Sequence, residues 1–386
     1  MRPASARTFA ILYALESFAR ASISSVVPIQ AYDILQSEQK VSVLYTLVGL
    51  AGISITLLMP MLIDRFARRW IYTMGVIALV IGSFCFVTNS LPGQVGGMLL
   101  RIVGASALSI TLNLYIMDHI RKTEFMRAES LRMAWSTFGW TGGPTLGVLL
   151  YANYGLPAAH GVVVLFSLIL LGTFWYYRLG DNRQIRPGKT RPANPIRSIR
   201  RFVGQPRLRL AWLIAFGRSC FWTTFFVYGP ILMVVTGQGK LAGGLLVSAG
   251  NALLFSALVW GWAGRRYGAR NVMAACFLAM SAALVAASFA GEDHALLAAA
   301  FLLVGAFFTI SLDALGSTAF MRAVRAWERP QMTAVYRTYL DLSDLLPPLI
   351  YSIVLAFFGL GAVFATLALF TAFCGYVVWR YLPRSM

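Results

Sequence analysis

RLGDNRQIRPGKTRPANPIRSIRRFVGQPRLR, residues 178–209, is the stretch that decides how this chain is organised. It contains Gly180, Pro187, Gly188, Pro192, Pro195 and Pro206, and ten lysines and arginines from Arg178 to Arg209. Apolar sequence broken only by short charged loops flanks it on both sides, so this is the one long run that cannot lie in hydrocarbon. It therefore reads as a linker between two membrane halves, residues 1–177 and 210–386.

Composition supports that division. The 386 residues are 58% hydrophobic and 12% charged, with a mean hydropathy of +0.69, whereas a soluble chain carries about 25% charged residues. The formal charge of +19 sits in loops between apolar runs and not on one soluble face, which excludes a nucleic-acid partner. Cys85, Cys220, Cys276 and Cys374 each fall in a different apolar run and form no metal-like spacing, so they read as buried thiols. Residues 1–7 followed by an apolar run look superficially like a signal peptide, but Glu16 and Arg20 inside that run mark it as a first span. The chain has no GxxxxGK[ST] loop, no GxSxG and only three scattered histidines. ATP-driven transport is disfavoured, and neither enzyme activity nor a cofactor or metal is expected.

A helix needs roughly 20 apolar residues to cross a bilayer. That ruler places six spans before the linker, near 8–28, 41–63, 70–88, 93–119, 133–151 and 158–177. Six follow, near 210–235, 241–264, 272–290, 295–321, 332–358 and 361–381. The expected fold is an all-α membrane protein of twelve transmembrane helices in two six-helix repeats. Cations collect on one side: Arg2 and Arg7, Arg65 to Arg69, Arg121 to Arg132, the linker, Arg265 to Arg270, Arg322 to Arg329, and Arg380 and Arg384. The opposite loops offer only Lys40 and Lys240 among acids such as Asp33 and Glu292. By the positive-inside rule both termini and the linker are cytoplasmic, in a bacterial inner membrane. Within the linker, Asn194-Pro195 reads as an N-cap and first-turn proline, and Ile196, Ile199, Phe202 and Val203 recur at helical spacing among arginines. The expected product is a short amphipathic helix on the anionic cytoplasmic leaflet.

The halves look like copies. Pro60 to Arg69 lines up with Gly261 to Arg270 at the offset that carries Asp64 onto Arg265, and Val103-Gly104-Ala105 falls on Val304-Gly305-Ala306. Two parallel repeats joined by a cytoplasmic linker are what a rocking carrier with a midplane site requires.

These residues resemble the major facilitator superfamily along nearly the whole chain. Asp64, Arg65, Arg68 and Arg69 match that family's motif A, with Pro60 and Ala67 where glycines usually stand; the second copy has Gly261 and Gly268 but Arg265 in place of the acid, followed by Arg266 and Arg270. The resemblance implies a cytoplasmic latch, for an acid at a helix end can pair with arginines and a neighbouring helix N-terminus. Gly139, Gly142, Gly143, Pro144 and Gly147 resemble motif C, which the family associates with exporters that exchange solute for protons. Small residues there also let helices approach closely. Arg101, followed by Gly104, loosely matches a fourth-span arginine motif. The family's architecture implies that the first, fourth, seventh and tenth helices line one cavity.

Ionisable residues within spans cost at least ~2.5 kcal/mol each and mark sites. Tyr13, Glu16, Arg20 and Ser24 form one polar stripe on the first span, with Glu16 and Arg20 at the favourable i, i+4 spacing. Arg218, Trp222 and Phe225 share a face of the seventh span, and Asp313 lies in the tenth with Thr309 and Ser317 a turn away. The resemblance groups Tyr13, Glu16, Arg20, Arg101, Arg218, Trp222 and Asp313 around one substrate and proton cavity. In the eleventh span Arg337, Asp341 and Asp344 share a face before Pro347 and Pro348. Two acids that close repel, so one of them is a candidate proton carrier; the alternative is an internal Arg337–Asp341 pair. Asp118 and His119 are expected to partner nearby arginines, and His160 to be solvated at a loop edge.

The expected function is a monomeric secondary transporter moving a small organic solute by alternating access, with proton-coupled efflux as the first reading. Uptake or exchange of an organic anion, suggested by Arg20, Arg101 and Arg218, is the alternative. A lipid flippase or membrane-embedded enzyme is the alternative from another class.

Overall fold

The computed structural model describes residues 6–119, 125–177, 195–324 and 329–383. The linker segment 178–194 and the side chains of Asp64, Asp118, His119 and Ser317 lie outside the described residues. Among those described, the chain is helical throughout and contains no strand. In order, the helices are α1 (Ala6–Ser22), α2 (Val26–Leu35), α3 (Glu38–Arg65), α4 (Arg68–Val87), α5 (Leu91–His119), α6 (Phe125–Tyr154), α7 (Leu156–Tyr176) and α8 (Pro195–Val203). Then come α9 (Pro206–Val235), α10 (Lys240–Ala252), a 3-10 turn (Leu253–Ser256), α11 (Ala257–Tyr267), α12 (Ala269–Ala290), α13 (Ala295–Ala323), α14 (Arg329–Tyr336), α15 (Thr338–Val354) and α16 (Gly361–Tyr381). Ten segments are long and apolar enough to cross a bilayer. The 30-residue α6 and the α14–α15 pair supply the fifth and eleventh expected spans.

Two compact units contain these helices: Met1–Pro187 with Gly239–Asn251, and Gly188–Gln238 with Ala252–Met386. In the first unit, the expected first span is broken. Ser22 and Ser24 turn their hydroxyls back onto the carbonyls of Ala19 and Ala21 (2.9 and 2.8 Å), and Pro28 can donate no backbone bond one turn further on. The chain therefore leaves α1 and restarts as α2. Phe9, Leu12, Tyr72, Leu79, Leu108, Tyr115 and Phe174 form the unit's apolar core. In the second unit, α9 passes Pro230 unbroken, and α12 packs between α13 and α16. The expected eighth span is interrupted by the 3-10 turn, so that α10 belongs to the first unit and α11 to the second.

The paired loops differ in a way the sequence pattern hides. Gly268 joins α11 to α12 at φ +84°, a conformation that favours glycine. Its counterpart Ala67 joins α3 to α4 at φ −60°, ψ 134°, which alanine adopts without strain. Alanine thus replaces glycine there at no conformational cost.

Candidate functional site

The glycines of α6 have a clear physical role. A Cβ on Gly139 would lie 3.2 Å from the backbone of Phe18, on Gly143 2.9 Å from the Ala21 methyl, and on Gly147 1.6 Å from the Ser22 carbonyl oxygen. These three residues form the groove into which α1 settles. Gly142, off the line of these three, has open space around it. Beside Pro144, Thr145 accepts a place against α10: its backbone N–H and its hydroxyl both donate to Ser248 (3.1 and 2.7 Å).

That close packing fixes α1 and with it the first polar cluster. Glu16 is fully buried, and Arg20 donates to its Oε1 at 3.0 Å, as the i, i+4 spacing implies. The second oxygen, Oε2, has no hydrogen-bond partner among the described residues, nor has the hydroxyl of buried Tyr72, which lies close enough to interact with Glu16. Arg132 stacks over the Tyr13 ring at 4.4 Å and donates to Asn113 at 2.7 Å. The sequence pattern counts Arg132 as a loop cation. Because α6 begins at Phe125, earlier than the hydropathy edge, Arg132 instead lies two turns inside the helix. Asn113 carries no signal that separates it from any other polar residue of a span.

His160 is a correction of another kind. It is buried, not solvated, with its ring stacked on Phe86 at 4.9 Å. Gly155 at φ +81° starts α7 immediately, so His160 falls one turn into the bundle and not in a loop. Arg101 is partly buried and near enough to act on His160.

The second cluster lies wholly within the second unit. Arg218 on α9 donates to Asp313 Oδ1 on α13 at 2.6 Å, and the indole N–H of Trp222 donates to Oδ2 at 3.0 Å. Arg218 also donates to Ser219 and to the Tyr339 hydroxyl, each at 3.3 Å, and sits over the Tyr339 ring at 5.5 Å. The side chains of Arg218 and Asp313 remain 20% and 24% exposed, so the pair is reachable. Trp222 stacks on Phe226 at 5.5 Å. Phe225 shares the face of Arg218, seven residues on, yet it is buried and stacked on Phe221, packed within the unit. Thr309 likewise turns inward, donating to the Gly305 carbonyl and the Met280 sulfur (2.8 and 2.9 Å).

Along the expected eleventh span, Arg337 sits at the junction of α14 and α15, exposed. Asp341 is half-buried one turn later, within electrostatic reach of Arg337. Asp344 is exposed and accepts from Thr223 of α9 at 3.0 Å. In the loop motif, Arg65 is exposed, and Arg69 lies over the Trp70 ring at 5.7 Å. In its second copy Arg265 is exposed, Arg266 covers Trp262 and Tyr267 (5.5 and 5.8 Å), and Arg270 donates to the Trp379 carbonyl. Among the described residues no cluster of His, Cys, Asp and Glu is arranged to hold a metal ion.

Apolar spans in two units, each with a charge pair inside its helices, define a polytopic membrane carrier. A family model, the Major Facilitator Superfamily, matches residues 9–257 and 247–386. The chain belongs to that superfamily; it is a membrane transporter and not an enzyme. Solved structures show the same fold at low identity. The POT family transporter PepTSo is 13% identical over 98% of this chain and 97% of its own, with a TM-score of 0.77. A POT family transporter in complex with 5-aminolevulinic acid is 11% identical over 97% and 95%, with a TM-score of 0.75. A variant of the nucleoside transporter NupG is 13% identical over 98% and 100%, with a TM-score of 0.74. No curated protein matches the chain by sequence.

Proposed function

We propose that this protein is a proton-coupled secondary transporter of small ampholytic solutes, working by alternating access. The reading is carried by the Arg218–Asp313 pair, partly exposed and flanked by Trp222 and Tyr339. A singly charged ligand that opened this pair would strand one ionised side chain in a membrane interior, at a cost of at least ~2.5 kcal/mol. A solute carrying both charges replaces each partner in turn, its anionic group on Arg218 and its cationic group on Asp313. Trp222, Phe226 and Tyr339 then give an apolar or aromatic body a surface to rest on. One similar structure holds 5-aminolevulinic acid, a molecule with one amine and one carboxylate, which supports this class. The organic-anion alternative loses ground because Arg20 and Arg218 are already neutralised by Glu16 and Asp313.

Glu16 is the residue to which we assign the coupled proton. It is buried with one oxygen partnered by Arg20 and the other unpartnered among the described residues. Protonation there releases Arg20, which is 29% exposed and free to turn towards water. Asp341 and Asp344, the sequence candidates for that role, are less enclosed. On the resemblance to motif C the exchange runs outward, solute leaving as protons enter; packing accounts for Gly139, Gly143 and Gly147 in full, so resemblance alone carries the direction. The surroundings proposed are a bacterial inner membrane with both termini cytoplasmic and α8 against the anionic leaflet.

The test uses purified protein in liposomes with an internal pH dye and three solute sets: ampholytes, anions and cations. Ampholytes are expected to move protons. Arg218→Ala is expected to weaken solute binding about tenfold more than Arg218→Lys, since a buried charged hydrogen bond is worth about 1.5–3 kcal/mol. Response to anions alone, or equal effects of the two substitutions, sinks the ampholyte reading.

A further inference from the structure

Besides Glu16 Oε2 and the Tyr72 hydroxyl, the polar atoms buried in the first unit with no hydrogen-bond partner among the described residues include six on five side chains. They are Oε1 of Gln30, Oε1 of Gln94, both ring nitrogens of His160, and the hydroxyls of Ser25 and Ser167. None of the five residues is more than 1% exposed. Buried polar side chains nearly always have partners, and where protein supplies none, bound water does.

Their placement is not scattered. The Gln30 amide N–H donates to the Phe86 carbonyl at 2.7 Å, and the Phe86 ring carries His160 at 4.9 Å. Gln94 donates to the Val27 carbonyl at 3.1 Å, one turn before Gln30 on α2. Each glutamine is thus pinned through its nitrogen and leaves its carbonyl oxygen open, and Phe86 links Gln30 to His160. Seven residues along α7 comes Ser167, next to Phe166, whose ring packs tilted against Phe18 at 4.4 Å. Phe18 is two residues from Glu16, so Ser167 stands at the height of Glu16. A further seven residues bring Phe174, stacked on Tyr72 at 4.2 Å. The polar atoms therefore descend along α7 in steps of about 10 Å, room for roughly three hydrogen-bonded waters each.

We propose that the first unit holds a file of bound water along α7, from Gln30, Gln94 and His160 to Glu16, and that this file brings protons to Glu16 from the end opposite the cation-rich loops. The inference rests on reading Glu16 as the proton carrier. His160 and Ser167 act as polar positioning groups for the waters. The charged and titratable groups facing the two ends are Arg20, Arg132 and Tyr72 at Glu16, and Arg101 at His160. The route lies within one compact unit, so it stays formed while the solute path changes.

The experiment compares His160→Phe, which keeps the ring on Phe86 and removes both nitrogens, and Ser167→Ala, with Glu16→Gln. Each is reconstituted in liposomes and assayed for pH-gradient-driven solute movement and, at equal pH, for solute exchange. His160→Phe and Ser167→Ala are expected to slow the driven flux about tenfold or more and leave exchange within about twofold. Radiolytic hydroxyl labelling of Phe86 and Phe166, which report bound water, is expected to fall in His160→Phe. If Glu16→Gln abolishes the driven flux while the other two variants keep it, the file is overturned and the carrier reading stands. If Glu16→Gln keeps the driven flux, the carrier reading fails and the file with it. Unchanged labelling in His160→Phe also overturns the file, because a dry interior would never have been labelled through bound water.

Discussion

Replacing Gly147 by alanine puts a methyl group where α1 leaves no room for one. The new Cβ would lie 1.6 Å from the Ser22 carbonyl oxygen and 2.6 Å from its carbon, against an ordinary separation of about 3.5 Å. These are backbone atoms, so no rotamer change relieves the overlap; α1 must move off α6 by nearly 2 Å. Overpacking typically costs 1–3 kcal/mol, and the fixed backbone puts this case at the upper end, about 3 kcal/mol. For a unit of this size that corresponds to a fall in Tm of about 6–12 °C. Gly142→Ala is the matched control, because nothing lies within 4 Å of its Cβ position. Alanine is the better helix former by about 1 kcal/mol, so that variant is expected to be unchanged or slightly more stable. The assay is thermal unfolding in detergent at one fixed scan rate, since unfolding of such proteins is seldom reversible. Equal losses at 142 and 147, or no loss at 147, would refute the packing argument and return the run to a transport role.

Two further substitutions test the polar clusters. Trp222→Phe removes the indole N–H from Asp313 and keeps a ring to stack on Phe226; it is expected to weaken ampholyte binding about tenfold with little change in thermal stability. Asp33→Asn acts on α2, where Asp33 accepts from Lys240 and from the Tyr151 hydroxyl, both at 2.5 Å; the expected loss is about 1 kcal/mol, shrinking as salt rises, and a salt-independent loss would mean the contact is packing and not charge.

The candidate site was legible in parts, for reasons that differ by residue. Glu16 and Arg20 were readable because their partnership is local: four residues on one helix are a fixed distance apart whatever the rest of the chain does. Arg218 and Trp222 could be placed on one face for the same reason, but that both converge on Asp313 is a fact about two helices 91 to 95 residues apart. Arg132 and His160 were misplaced because hydropathy marks where apolar residues end, and helices α6 and α7 begin elsewhere: α6 several residues before that edge, α7 at a glycine turn. Phe225 shares the face of Arg218 as read, but face-sharing on a helix does not say which side chains on that face pack into the core, and Phe225 is buried against Phe221.

The sequence by itself determined that this chain lives in a membrane, that it comes in two related halves around a basic linker, and that a few ionised groups sit where charge is expensive. Those properties follow from summed transfer free energies and from local periodicity, which need no knowledge of neighbours. Only the tertiary structure decided which charges meet, that the α6 glycines are a seat for α1, that α10 and α11 part company at a 3-10 turn, and that buried polar atoms line up along α7. Each of these depends on the register between helices far apart in the chain, set by packing contacts of a few tenths of an ångström that no single segment encodes.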